Sequence, residues 1–246
     1  MAASEGKEEC RVKEESKAKK DHHHHHLHLP HLHLHHSERV EFSLAKVGQH
    51  FQACLLDDDT DMLEYLEGWE ELNRMFPLLG RLFTFVQSDV QDKIGICRQF
   101  LTGEEGEHYK TVHKMMEYEK SQNTHRKTDP ASGSRTLLRL HRALAFVSHL
   151  IGGIAGMEEE DGNTHPVSRQ AYDETLSHHH TWLVRKAVHC AIYAIPKRKH
   201  LIHLLAGENI DMHTAEGVMN DTVSHCDRAF QVVEKLYSDQ GMLDLP

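Results

Sequence analysis

The sequence lacks the features that mark a membrane-spanning or secreted protein. Its 246 residues contain no apolar run that approaches the ~20 residues of a membrane span, and its N-terminus has neither a signal-peptide core nor a transit-peptide composition. The five cysteines are odd in number, scattered and without a C-x-x-C pair, which is typical of reduced intracellular thiols. We therefore expect a soluble protein of the cytosol.

Sequence signatures of enzymes are also missing. The chain has no G-x-S-x-G, P-loop, dinucleotide fingerprint or H-E-x-x-H, and its scattered cysteines and histidines suggest no pair of nucleophile and base. A formal net charge of −10 disfavours general binding to nucleic acids. We expect no catalysis, no cofactor and no nucleic-acid partner.

The first 38 residues differ in composition from the rest of the chain. Lys and Glu are mixed at first, and ten histidines then fall between His22 and His36. This low-complexity composition predicts disorder over 1–38, followed by one domain over 39–246. Because no Cys or carboxylate lies at ligand spacing, we assign no metal site. A metal-binding histidine tail on a helical scaffold is an alternative, which deletion of 1–38 would test.

From Glu41 onward, apolar residues recur with a period close to 3.6, and β-alternation of useful length is missing. The domain is therefore predicted to be entirely helical. Asp59 or Thr60 is expected to cap the second helix, and Pro77 to begin or kink the next segment. The later helices are predicted at about 107–122, 134–155, 167–178, 181–195, 197–205 and 213–238.

Charged residues at helical spacing border two of the apolar segments. Asp89 and Lys93 are four residues apart on one segment, and Arg135, Arg139 and Arg142 share a face of the other. An ordinary exposed ion pair and a solvated basic stripe are the alternatives. Two partly buried cations about 6 Å apart repel by roughly 3 kcal/mol unless carboxylates or a phosphate offset them. The spacing therefore suggests a site for an anion.

Four segments, taken together and in order, resemble the glycolipid transfer protein family. They are EYLEGWEELNRMFPLLGRLFTFVQSDVQDKI, SGSRTLLRLHRALAFV, HHTWLVRKAVHCAIYAIP and KLYSDQGMLDLP, and the resemblance covers about residues 40 to 246. It implies an all-α, two-layer helical sandwich of about eight helices. It also implies a carrier, in which a surface site binds a sphingolipid headgroup and an adjoining pocket takes the lipid chains.

The resemblance also implies roles for the polar residues. Asp89 would accept hydrogen bonds from the amide and hydroxyl groups of a ceramide, and His180 would bond the amide oxygen. Family members that carry sugars have Asn where this chain has Lys93, and Trp where it has Arg139. Because both changes add positive charge, the implied ligand is ceramide-1-phosphate, bound through Lys93, Arg135 and Arg139. A glycosphingolipid is the alternative.

Two further sets of residues complete the expected site, an apolar set for the lipid chains and a mixed apolar and basic set for the membrane. The lipid-chain pocket is assigned to Phe85, Leu137, Phe146, Val184, Val188 and Ile192, each of which has a plain core role as its alternative. Membrane docking, including contact with anionic lipids, is assigned to Trp182, Ile195, Lys197, Arg198 and Lys199.

The histidine run before Trp182 departs from the family pattern, where a Pro precedes the Trp, so His179 is an alternative to His180. We expect a monomer that contacts membranes transiently. A lipid-sensing interaction protein, which binds the same lipid but signals to a protein partner, is the alternative to a carrier.

Overall fold

The computed structural model describes residues 42–246, and almost all of their regular structure is helical. The helices are α1 (Leu44–Ala53), α2 (Met62–Asn73), α3 (Phe76–Leu79), α4 (Thr84–Thr102), α5 (Val112–Ser121), α6 (Gly133–Ala155), α7 (His165–Glu174), α8 (Trp182–Tyr193), α9 (Arg198–Ala206) and α10 (Met212–Asp239). Strands β1 (Leu55–Leu56) and β2 (Asp59–Thr60) form a small antiparallel hairpin. Short 3₁₀ turns span Arg81–Phe83, Gly106–Tyr109 and Leu176–His179.

The predicted all-α sandwich is confirmed. The expected count of about eight helices is close to the ten helices found in residues 42–246, of which α3 is only a single turn. Helix α6 packs against α4, α7 and α10, while α1 packs against α2 and α10. The largest fully buried side chains include Trp69, Tyr65 and Phe51 from this second group. The tail over 1–38, which is predicted to be disordered and contains the histidine run, lies outside the described residues.

Helix α6 is the central element of the core. Fifteen of its 23 residues are buried, and Ser132 caps it by accepting a hydrogen bond from the backbone N–H of Arg135. Among the described residues it is the one helix long and apolar enough to cross a membrane, which differs from the expectation that no such segment exists. Its burial among other helices is typical of a core helix.

The observed helix ends differ from the predicted ones where side chains or backbone angles intervene. The cap of α2 is Asp61, whose carboxylate accepts from the N–H of Glu64 at 2.9 Å, so the prediction of Asp59 or Thr60 is wrong. The segment after Pro77 is divided at Gly80, whose φ of 139° interrupts a helix. Thr111 caps α5, so the predicted helix at 107–122 becomes a 3₁₀ turn followed by α5.

Three cysteines are free thiols within the core. Burial raises the pKa of Cys54, Cys97 and Cys226 to about 12 each. Cys190 is disulfide-bonded, so the expectation of five reduced thiols is wrong at that position.

Candidate functional site

Asp89 and Lys93 lie one turn apart on α4. The Lys93 ammonium donates to Asp89 Oδ1 at 2.7 Å, as their spacing predicts. The Asp89 side chain is 65% exposed and that of Lys93 only 21%. Because an ionised carboxylate accepts several hydrogen bonds, Asp89 keeps free acceptor capacity towards solvent.

Arg135, Arg139 and Arg142 lie on α6, which packs against α4. Arg139 Nη1 donates to the backbone carbonyl of Arg135 at 3.0 Å, and Arg142 Nη2 donates to the carbonyl of Leu243 at 2.9 Å. Within residues 42–246, none of these three arginines forms an ion pair with a carboxylate. The charges of Glu234 and Asp244 partly compensate that of Arg142, whereas no carboxylate does so for Arg139.

Burial and mutual repulsion make these cations energetically unfavourable. Burial lowers the pKa of Arg139 to about 10, and the charges of Arg135 and Arg142 act in the same direction. Arg135 Nε is buried without a hydrogen-bond partner in the described part of the chain. Because buried charges and unpaired N–H groups destabilise a fold, an anion held between these side chains would be stabilising.

His180 follows the 3₁₀ turn before α8 and borders the same site. Its Nδ1 lies 2.6 Å from the hydroxyl of Tyr172, and Arg185 Nη1 donates to its backbone carbonyl at 3.3 Å. Burial lowers the pKa of His180; Arg185 and Lys93 act in the same direction, and Asp89 opposes them. The ring is therefore neutral at pH 7 and lies within electrostatic reach of both Asp89 and Lys93.

His179, the alternative to His180, lies in different surroundings. Its pKa is lowered first by burial and next by the charge of Arg142. It lines a pocket of about 410 Å³ together with residues of α6 and α10, among them His141, Arg142 and Glu234. Because the charge of Asp89 acts on His180, His180 is the better candidate to share a ligand with Asp89.

The residues assigned to the lipid-chain pocket divide into two groups. Leu137, Phe146, Val188 and Ile192 are buried in the core, whereas Phe85 and Val184 are exposed. The assignment of Phe85 and Val184 to an enclosed pocket is therefore corrected, because their side chains face solvent.

The residues assigned to membrane docking also divide. Trp182 is 64% exposed, and Lys197 and Lys199 are exposed as expected. Ile195 and Arg198 are buried, so their assignment to a docking surface is wrong.

The burial of Arg198 has a clear physical cause. Its guanidinium donates to the carbonyls of Ile154 and Ala155, both at 2.8 Å, and to the carboxylate of Glu216 at 2.8 Å. Arg198 thus satisfies the C-terminal carbonyls of α6 and ties that end to α9 and α10.

Sequence reasoning missed three residues beside the site. Tyr172 contacts His180, and Arg185 holds the His180 carbonyl. Leu183 is 68% exposed next to Trp182. A run of apolar residues at the start of α8 signals Leu183, but no periodic pattern links Tyr172 to His180, because a helix end separates them.

In residues 42–246, no group of three or more His, Cys, Asp or Glu side chains is placed to hold a metal ion. The histidines between His22 and His36 lie outside the described part of the chain.

Comparison with known proteins identifies the family. The model of the family described as glycolipid transfer protein (GLTP) matches residues 60–207. The chain belongs to the glycolipid transfer protein family. Among curated members, the ceramide-1-phosphate transfer protein of Xenopus laevis is 34% identical over 219 residues, which is 85% of this chain and 99% of that protein. The human protein of that name is 31% identical over 210 residues, 83% of this chain and 97% of its own length.

Solved structures of family members confirm the fold. Mouse ceramide-1-phosphate transfer protein in its apo form aligns with a TM-score of 0.78 at 32% identity, over 84% of this chain and all (100%) of that chain. The human protein in complex with 2:0 ceramide-1-phosphate aligns with a TM-score of 0.77 at 30% identity, over the same shares, 84% and 100%. This family member therefore shares the helical sandwich on which one relative binds ceramide-1-phosphate.

Proposed function

We propose that this protein carries ceramide-1-phosphate between membranes. The observation on which the proposal rests is the group of α6 arginines that have no carboxylate partner within residues 42–246 and lie on a helix packed against the one that carries Lys93. The names of the relatives and the human structure with bound ceramide-1-phosphate support the same ligand.

The chemistry of the cations suits a phosphomonoester. A guanidinium donates two parallel hydrogen bonds and stays charged, so Arg135 and Arg139 can each grip phosphate oxygens while Lys93 adds a third donor. The phosphate would supply the counter-charge that these side chains lack. Arg139 offers no flat apolar ring on which a sugar would stack, which disfavours a glycosphingolipid.

The ceramide portion of the ligand is assigned to Asp89 and His180. The exposed carboxylate of Asp89 accepts hydrogen bonds from the amide N–H and a sphingoid hydroxyl, while His180 donates to the amide oxygen. Phosphate and amide are then recognised by different side chains of one site. Arg142 has a structural role, because it donates to the carbonyl of Leu243 near the C-terminus.

A carrier of this kind performs no bond chemistry. Exposing lipid chains to water costs about 0.8 kcal/mol per CH₂, so a ~16-carbon chain alone opposes spontaneous exchange by roughly 12 kcal/mol. Parting the helices that bury Leu137, Phe146, Val188 and Ile192 would shelter the chains and lower that barrier. We propose that it works as a monomer without a nucleic-acid partner.

The docking surface in this proposal is formed by Phe85, Trp182, Leu183 and Val184, all exposed apolar residues, with Lys197 and Lys199 as basic contacts to anionic lipids. Lys186 Nζ lies 5.6 Å from the Trp182 ring and adds a further cation. We place this transient contact at cytosolic membrane faces.

Two measurements on the full chain test the proposal. Labelled ceramide-1-phosphate should bind the protein and should also move from donor to acceptor vesicles at a rate that rises with protein concentration. Binding without transfer would favour the lipid-sensing alternative. Transfer of galactosylceramide in place of ceramide-1-phosphate would contradict the headgroup assignment.

A further inference from the structure

Tyr172 is a buried residue of α7 whose hydroxyl faces His180. The hydroxyl lies 2.6 Å from His180 Nδ1, and within residues 42–246 this is its only hydrogen bond. The phenol ring packs edge-on against Phe146, with centroids 5.8 Å apart and planes at 85°. The backbone of His180 is held as well, since its N–H donates to the carbonyl of Ser177 at 3.1 Å.

The direction of this hydrogen bond follows from the partners available. Burial raises the pKa of Tyr172 to about 12, so the phenol keeps its proton at pH 7. Because a buried O–H without an acceptor is costly, the Tyr172 hydroxyl donates and His180 Nδ1 accepts. A neutral imidazole that accepts at Nδ1 carries its own proton on Nε2.

The remaining nitrogen of His180 is then a donor. Nε2 has no hydrogen-bond partner among the described residues, and the ring lies within electrostatic reach of Asp89 and Lys93. The opposite tautomer would present a lone pair instead, and both Asp89 and His180 would be acceptors. A secondary amide needs one acceptor for its N–H and one donor for its carbonyl.

We infer that Tyr172 is a positioning residue that fixes the Nε2–H tautomer of His180, so that the site offers a donor beside the Asp89 acceptor and selects ligands with an amide linkage. The inference rests on the proposed function and deepens it. An ester-linked phosphatidic acid has carbonyl groups but no amide N–H for Asp89, so it satisfies only half of this arrangement.

The tautomer is measured directly by ¹⁵N NMR of the histidine side chains in the full-length protein without lipid. We expect pyridine-type Nδ1 and pyrrole-type Nε2 resonances for His180. Tyr172→Phe, which keeps the ring and its packing, should shift His180 towards a mixture of tautomers. Tyr109→Phe is the matched control, because Tyr109 is also buried and its hydroxyl bonds Glu119 at 2.8 Å, away from His180.

Binding of short-chain ceramide-1-phosphate then tests the consequence. Tyr172→Phe should weaken binding by about 3- to 10-fold, the scale of one hydrogen bond. In a His180→Ala background the same substitution should cause no further loss, because Tyr172 acts through His180. Tyr109→Phe should leave binding of ceramide-1-phosphate unchanged.

Several results would overturn the inference. A protonated Nδ1 in the wild-type spectrum would do so whether or not Tyr172→Phe folds. An equal loss in the His180→Ala background would show that Tyr172 only supports the fold. If wild-type protein fails to bind ceramide-1-phosphate, the proposed function fails, while the spectrum of the lipid-free protein still decides the tautomer.

Discussion

Arg139 donates a hydrogen bond from Nη1 to the backbone carbonyl of Arg135, one turn earlier on α6, at 3.0 Å. Two cations are thereby held on adjacent turns of a core helix, and within residues 42–246 neither is paired with a carboxylate. A protein that needed these residues only for stability would pair them or place them in solvent. The phosphate of the proposed ligand would supply the missing counter-charge.

Removing one of these cations should stabilise the protein. In Arg139→Leu, a partly buried charge and its repulsion with Arg135 and Arg142 are lost, so we expect the free energy of unfolding to rise by about 0.5–2 kcal/mol. Chemical denaturation of both proteins measures the change. Arg228→Leu, at an exposed arginine of α10, is the control and should change it by less than about 0.5 kcal/mol. A marked loss of stability in Arg139→Leu would argue for a structural role.

Glu119 should be important for stability because it holds the start of α6. Its buried carboxylate accepts from the N–H groups of Gly133 and Ser134, at 2.9 and 2.8 Å, and from the hydroxyl of Tyr109. Glu119→Ala leaves these donors unpaired, so we expect a loss of about 2–4 kcal/mol in urea denaturation. Glu117→Ala, on the exposed side of the same helix, should cost about 0.5 kcal/mol or less. Equal losses would contradict this role.

His180 should titrate below its ordinary range. Burial lowers its pKa from 6.5, with Arg185 and Lys93 acting in the same direction. As the pH falls, the unfolded chain therefore takes up this proton before the folded protein does. The contribution of neutral His180 to the free energy of unfolding is present above pH 6.5 and is lost as the pH falls towards the pKa of the folded protein. An NMR titration should give a midpoint below 6.5 that rises in Lys93→Ala. A wild-type midpoint above 6.5 would contradict the described environment.

Membrane contact should depend on the exposed start of α8. Replacing Trp182 and Leu183 together by Ala should weaken binding to anionic vesicles at least about tenfold, because two large apolar side chains no longer enter the interface. Binding of short-chain ceramide-1-phosphate in solution should be unchanged. Leu63→Ala, at an exposed leucine of α2, provides the control in vesicle sedimentation. Equal binding by all variants would show that the membrane contacts another surface.

Much of the fold was predictable from the sequence because its pattern is local. The period of 3.6 places Asp89 with Lys93 and Arg135 with Arg139 on their helices without any knowledge of the partners. Long-range contacts were not predictable in this way. Arg198 resembles a solvated basic residue in sequence, and its burial depends on the carbonyl of Ile154 and on Glu216, which are distant in the chain.

The same distinction applies to the site itself. Whether the α6 arginines are paired depends on which side chains neighbouring helices bring to them, and no spacing rule reports that. The contact of Tyr172 with His180 crosses the end of α7 and a 3₁₀ turn, so helical periodicity does not connect the two residues.

The most direct test of the account is the rate at which wild-type protein and Arg139→Leu move labelled ceramide-1-phosphate and labelled galactosylceramide between vesicles. Wild type should transfer the phosphate lipid selectively, and Arg139→Leu should lose about 10- to 100-fold of that rate, the scale of charge-assisted hydrogen bonds, while staying folded. Undiminished transfer of ceramide-1-phosphate by Arg139→Leu, or selective transfer of galactosylceramide by wild type, would contradict it.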